Sequence, residues 1–165
     1  MNAKFEVKMT QKILYDFWMN HTYRSFSGWF SIIFGVAVII LALVTRDTVQ
    51  PYMTVIYVVF GLYFLAFQPI SLYLRAAKQV KVNPMFKETL TYEVNDKGIT
   101  TTQKDQKAEI TWEQILKVAE TGQSYLLYTG KRNSFVLPKE SMGDKITVVE
   151  GLIKKHMKPE QVKIK

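Results

Sequence analysis

The chain has no cysteine and only two histidines among 165 residues. No disulfide, thiolate nucleophile or thiolate-bound metal can form, and neither His21 nor His156 sits in a ligand spacing such as HExxH. A phosphate-cradling glycine loop, a GxSxG elbow and a dinucleotide fingerprint are also missing. Glu88, Glu93, Asp96, Glu109, Glu113, Glu120 and Asp144 are scattered over segments that alternate in face, so no carboxylate pair stands out for acid–base work. No enzymatic activity, catalytic residue, metal or cofactor is expected.

Charge is absent where its absence says most. Residues 25–45 form a window of 21 residues without a charged side chain, and residues 48–74 a second window of 27. As helices these would measure about 31 and about 40 Å, against a bilayer hydrocarbon core of about 30 Å. A helix buried in a soluble bundle keeps one polar face, and GWFSIIFGVAVIILALV has none. A cleaved secretory signal would start earlier, be shorter and not be followed at once by a second apolar run. Two transmembrane helices are expected, at about residues 26–45 and 51–74.

Lysine and arginine mark the flanks. Lys4, Lys8, Lys12 and Arg24 precede the first span and Arg75, Lys78, Lys81 and Lys87 follow the second, whereas the intervening loop holds only Arg46. By the excess of cations on cytoplasmic flanks, both termini belong in the cytoplasm of a two-span protein of the cell membrane. Arg24, Trp29, Arg46, Tyr73, Arg75 and Lys78 are candidate membrane-interface anchors. Ser27, Ser31 and Gly35 recur every four residues, a small-residue stripe along which the second span could approach, with Gly61 and Ala66 as candidate facing positions. Pro69 should kink the second helix or mark its exit from the bilayer, and Asn83-Pro84 should end it.

Residues 1–24 and 84–165 read differently from the spans at 25–83. Lys4 to Met9 alternates polar and apolar residues as a half-buried strand does. Thr10 then caps a helix over 11–25, either an amphipathic helix on the membrane surface or a plain extension of the first span. Beyond Pro84, alternating segments at 86–94, 99–103, 107–112, 115–121, 125–129 and 134–137 are separated by Gly-, Asn-, Asp- or Ser-containing turns. Trp112, at the end of one of them, is expected in the core. Ser141 with Asp144 suggests a capping box, and Ile146, Val149, Leu152, Ile153 and Met157 give the following helix one apolar face, ended by Pro159.

The expected fold is therefore an α+β membrane protein. It joins a two-helix transmembrane hairpin to a cytosolic seven-stranded antiparallel barrel of pleckstrin-homology-like plan, closed by a C-terminal helix. The hairpin is inserted between the first strand and the second.

Several ordered motifs carry a family likeness: Thr91-Tyr92-Glu93-Val94-Asn95-Asp96-Lys97-Gly98-Ile99, Ile110-Thr111-Trp112-Glu113-Gln114-Ile115, Tyr125-Leu126-Leu127-Tyr128 and Val136-Leu137-Pro138-Lys139. With the preceding hairpin they resemble the YcxB-like family of bacterial membrane proteins, and the C-terminal region is similar to bacterial pleckstrin-homology domains. The resemblance implies no catalytic residues. It does imply a role: related membrane proteins are associated with self-protection against membrane-active bacteriocins.

The formal charge of +8 divides into 8 cations against 3 anions over residues 1–83 and 14 against 11 over residues 84–165. The excess lies beside the membrane, where it attracts anionic lipid, and no basic stripe remains for nucleic acid. KRNSFVLPK at 131–139 accordingly reads as an exposed basic turn, Lys131 and Arg132, followed by a strand with Phe135 and Leu137 facing inward, rather than as a phosphate grip. The expected partners are the bilayer, a protein or anionic lipid headgroups, and a second copy through the hairpin. Two functions stay open: a membrane-held binding module giving bacteriocin immunity, and an accessory or scaffold subunit of a transporter or enzyme.

Overall fold

A computed structural model describes residues 1–130 and 133–164. In chain order the elements are β1 (Asn2–Val7), α1 (Gln11–Tyr23), α2 (Phe26–Thr45), α3 (Pro51–Val82), α4 (Pro84–Lys87), β2 (Leu90–Asn95), β3 (Gly98–Gln103), β4 (Gln106–Thr111), β5 (Lys117–Glu120), β6 (Ser124–Tyr128), β7 (Ser134–Pro138), α5 (Lys139–Met142), α6 (Ile146–His156) and β8 (Val162–Lys163). They make two compact units, one from residues 1–17 with the chain from Lys78 onward, the other from Trp18–Ala77.

In the first unit, alternation along β1 sends Ala3, Phe5 and Val7 inward and leaves Asn2, Lys4 and Glu6 to solvent. β1 pairs antiparallel with β2, setting Phe5 opposite Tyr92, whose rings stack with centroids 5.8 Å apart. The chain before the two long helices is thus hydrogen-bonded to the chain after them. One sheet runs β1-β2-β3-β4 and a second runs β7-β6-β5-β8. Val94, Ile99, Val118, Tyr125, Leu127 and Leu137 join Val149, Leu152 and Ile153 of α6 in the main core, and Trp112 is buried there as expected. Burying a side chain of this kind contributes about 1.5–3 kcal/mol, so α6 is held by its apolar face.

The expected closed seven-stranded barrel is not what forms. After β4 the chain turns through a 3-10 segment at Trp112–Gln114, and β5 pairs not with β4 but with β6 and, in parallel, with β8. The edge of β5 that closure would need is occupied by Val162 and Lys163, a strand hidden beyond Pro159 where the alternating pattern is too short to read. Two local expectations also fail. Asn83 Oδ1 accepts from Met85 N at 3.0 Å and starts α4, so β2 begins at Leu90 rather than Phe86. Gly143, at φ 54°, separates α5 from α6, and α6 starts at Ile146 without a side-chain cap instead of a Ser141–Asp144 box.

The apolar stripe of the first half of α1 is covered by protein. Met9, Ile13 and Phe17 pack with Ala119, Leu126 and Val136 on the face of the second sheet that points away from the main core. Asp16 also accepts the Thr121 hydroxyl at 2.5 Å. The apolar stripe was legible, but helical periodicity does not say whether lipid or protein covers it. A turn at Arg24–Ser25 ends α1, and Ser25 caps α2 by accepting from Gly28 N at 3.5 Å.

In the second unit α2 has 20 residues and α3 has 32, and both are apolar and long enough to cross a membrane. Their side chains are open to the surroundings, with Ile33 61%, Val44 74% and Val55 61% exposed. Gln68 Nε2 donates to Ser31 Oγ at 3.5 Å, and Gly35 meets Gly61 and Leu65, so contacts pair rising with falling numbers and the helices run antiparallel. Gly61 faces α2 as the small-residue stripe suggests, while Ala66 is exposed. α3 runs on through Pro69 to Val82, past the expected limit of the span at Leu74, and ends at Asn83-Pro84 as expected.

Candidate functional site

Within the first unit, polar side chains converge on the β2–β3 turn. Trp112 Nε1 donates to the Asn95 carbonyl at 2.9 Å, and Asn95 Oδ1 accepts from Lys97 N at 2.9 Å, which fixes the turn. The adjacent Asp96 carboxylate takes three nitrogen partners: Lys155 Nζ at 2.5 Å, the Met1 amino group at 2.8 Å and His156 Nε2 at 3.0 Å. Lys155, and after it the amino group and His156, hold Asp96 well below the ordinary carboxylate range. The His156 ring stacks on Trp112 with centroids 5.3 Å apart and planes 9° apart, so His156 is not the freely solvated residue its lysine-rich neighbourhood suggests. The cluster ties the turn after β2, the end of α6 and the chain start together. Asp96 and His156 are 60 positions apart, and no local spacing signals their meeting.

Beside this turn, β2, β3 and β4 form an open groove of about 440 Å³ lined by Glu93, Lys97, Thr100, Lys107, Glu109 and Thr111 among others. Its charges alternate in sign. Lys107 Nζ and Glu109 Oε1 lie 2.5 Å apart, and each holds the other charged, Lys107 raised and Glu109 lowered from their ordinary values. A second polar network lies on the β5–β6–β7 sheet. Glu120 pairs with Lys139 at 2.5 Å, the Lys139 ammonium stands 5.2 Å from the Tyr125 ring centroid, and the Tyr125 hydroxyl donates to Glu150. Burial first, and then the Glu150 carboxylate, push the Tyr125 phenol above its ordinary value. Among the described residues no group of three or more His, Asp or Glu could hold a metal ion.

The candidate anchors lie at or near the ends of the two long helices. Arg24 is exposed at the α1–α2 turn, Trp29 is 58% exposed in the first turn of α2, and Tyr73 is 53% exposed near Arg75 on α3. Because α2 and α3 run antiparallel, Trp29 and Tyr73 belong to one end of the pair and Arg46 to the other, where its Nε lies 3.4 Å from Asp47. Lys78 is exposed further along α3. Lys131 and Arg132 lie outside the described residues, whereas Leu137 is buried and Phe135 half-buried in β7, as the inward face requires.

The model of the family described as YcxB-like protein matches residues 94–150, from the end of β2 into α6, all within the first unit. No curated protein and no solved structure matches the chain.

Proposed function

We propose that this chain, whose residues 94–150 match the family described as YcxB-like protein, is a non-enzymatic integral membrane protein that holds a pleckstrin-homology-like binding module at the cytoplasmic face. The observation that carries this reading is the apolar exposure along α2 and along α3 up to Leu74, where most of the large exposed apolar side chains of the described residues are gathered. Exposed to water, that surface would be an aggregation liability; in hydrocarbon it needs no further cover.

The pairing of β1 with β2 supports the topology. Residues before the hairpin and after it share one sheet, so both flanks lie on the same side of any bilayer that α2 and α3 cross. The lysines and arginines on those flanks favour the cytoplasmic side. The pleckstrin-homology-like reading is supported by two sheets, antiparallel but for the short β5–β8 pair, with the apolar face of α6 in their common core. The alternating charges of the groove along β2–β4 suit a protein partner or lipid headgroups better than a small apolar ligand.

The role we propose is self-protection against a membrane-active bacteriocin. Expression of the full chain in a sensitive host should lower its susceptibility to at least one member of a bacteriocin panel. Unchanged susceptibility across the panel would remove this role, and co-purification in mild detergent with one stoichiometric transporter or enzyme would assign an accessory subunit instead.

A further inference from the structure

The first sheet ends in two very different edges. Along β1, α5 packs beside the strand and Lys145 donates to the Lys4 carbonyl, so that edge is covered. β4, at the other edge, pairs only with β3 among the described residues. It is six residues long, contains no proline, and is exposed at every position except half-buried Ile110. An edge of this kind presents a row of backbone donors and acceptors ready to pair with another strand.

We propose that β4 is the seam of a homodimer, in which the β4 strands of two copies pair antiparallel about a twofold axis through Ala108. The charge pattern selects the occupant and its register. Lys107 and Glu109 share one face of the strand and flank Ala108. With Ala108 opposite Ala108, Lys107 of each copy faces Glu109 of the other, giving two complementary cross-strand pairs. Moving the register by two residues in either direction sets Lys107 against Lys107 or Glu109 against Glu109, and like charges directly opposite destabilise a sheet. A slip by one residue would turn the two buried faces to opposite sides of the joint sheet. The same charges disfavour unrelated apolar strands, which is a common protection of edges. Ala108, small and exposed, leaves the centre of the seam free of obstruction.

The chain's lack of cysteine makes the test direct. Ala108→Cys in the full chain, expressed in membranes and mildly oxidised, should give disulfide-linked dimers. Glu113→Cys, exposed and just beyond the strand, should give few. In the Ala108→Cys background, Lys107→Glu should lower the linked fraction by about tenfold, because both cross-strand pairs become repulsive. The double change Lys107→Glu with Glu109→Lys should restore it. Circular dichroism of each purified variant shows whether it is folded, and the doubly swapped chain keeps the test valid should Lys107→Glu not fold. The proposal is overturned if Ala108→Cys links no more than Glu113→Cys, if the folded Lys107→Glu variant links as well as its parent, if the folded double variant fails to link, or if the linked product contains a different protein.

Discussion

Gly35 and Gly61 meet backbone to backbone where α2 and α3 cross. A Cβ on Gly61 would lie 2.8 Å from the Gly35 carbonyl oxygen and 2.6 Å from Ile39 Cγ1, closer than carbon atoms tolerate. In the lipid proposed for these helices, attraction comes from close packing rather than from expelling water, so this close approach should contribute to holding the pair together. Gly61→Ala should therefore destabilise the folded chain in mild detergent by about 1–3 kcal/mol, the usual cost of overpacking. Gly151→Ala is the counterpart: nothing lies within 4 Å of a Cβ there, and the position is inside α6. It should stabilise by up to about 1 kcal/mol. Equilibrium unfolding of both variants checks the pair, and equal effects would mean that the crossing is loose.

Ile13 is 7% exposed and packs with Ala119, Leu126 and Val136. Ile13→Ala should cost about 2–5 kcal/mol, as large-to-small changes in packed interiors do. Lys12→Ala, next to it but exposed, should stay within about 0.5 kcal/mol. If α1 rested on lipid instead of on the second sheet, Ile13→Ala would leave the unfolding curve of the detergent-solubilised chain unchanged.

That contrast shows how far a sequence of this kind can be read. The uncharged windows, the strand positions of β3 to β7 and the apolar face of α6 were legible, because each is a local pattern with its own period. The partner of a patterned face was not, since Ile13 and Leu126 are 113 positions apart and nothing local to either names the other. Gly61 was legible as a small residue on a stripe, yet Ala66 met the same criterion and is exposed. β8 was missed because two residues cannot show alternation, and the open arrangement of the sheets followed from it. At the candidate site Asp96 was visible only as a turn residue. Its convergence with Lys155 and His156 depends on where α6 ends in space.

Asp96 carries a pH dependence of definite sign. Its ordinary value is 3.8, and its partners, Lys155 first, hold it lower in the folded chain. The folded state therefore binds the proton less readily than the unfolded one. The contribution is fully present above 3.8 and is lost as pH falls through the folded value. Asp96→Asn should lower the melting temperature at neutral pH by a modest amount, because the site is exposed and screened. The gap between the two proteins should close only below 3.8 and should narrow in high salt. A gap that is constant down to strong acid would show that the ion pairs contribute nothing.

At the alkaline end the sign reverses. Burial in the main core, where Tyr92 stacks on Phe5, pushes its phenol up to about 12 from 10.0. Burial and the Glu150 carboxylate push Tyr125 upward from the same starting value. Both folded phenols hold their protons where unfolded ones release them, so their contribution is intact below 10.0 and falls as pH rises through the folded values. Tyr92→Phe and Tyr125→Phe should each flatten the alkaline loss of stability. They should differ at neutral pH. Tyr92→Phe keeps the ring that stacks on Phe5 and should change stability little, whereas Tyr125→Phe removes the hydrogen bond to the Glu150 carboxylate at a cost of about 1.5–3 kcal/mol. Phenolate absorbance followed together with circular dichroism separates ionisation in the folded chain from ionisation after unfolding. Early phenolate formation from Tyr92 or Tyr125 while the dichroism is still native would contradict the burial on which both shifts depend.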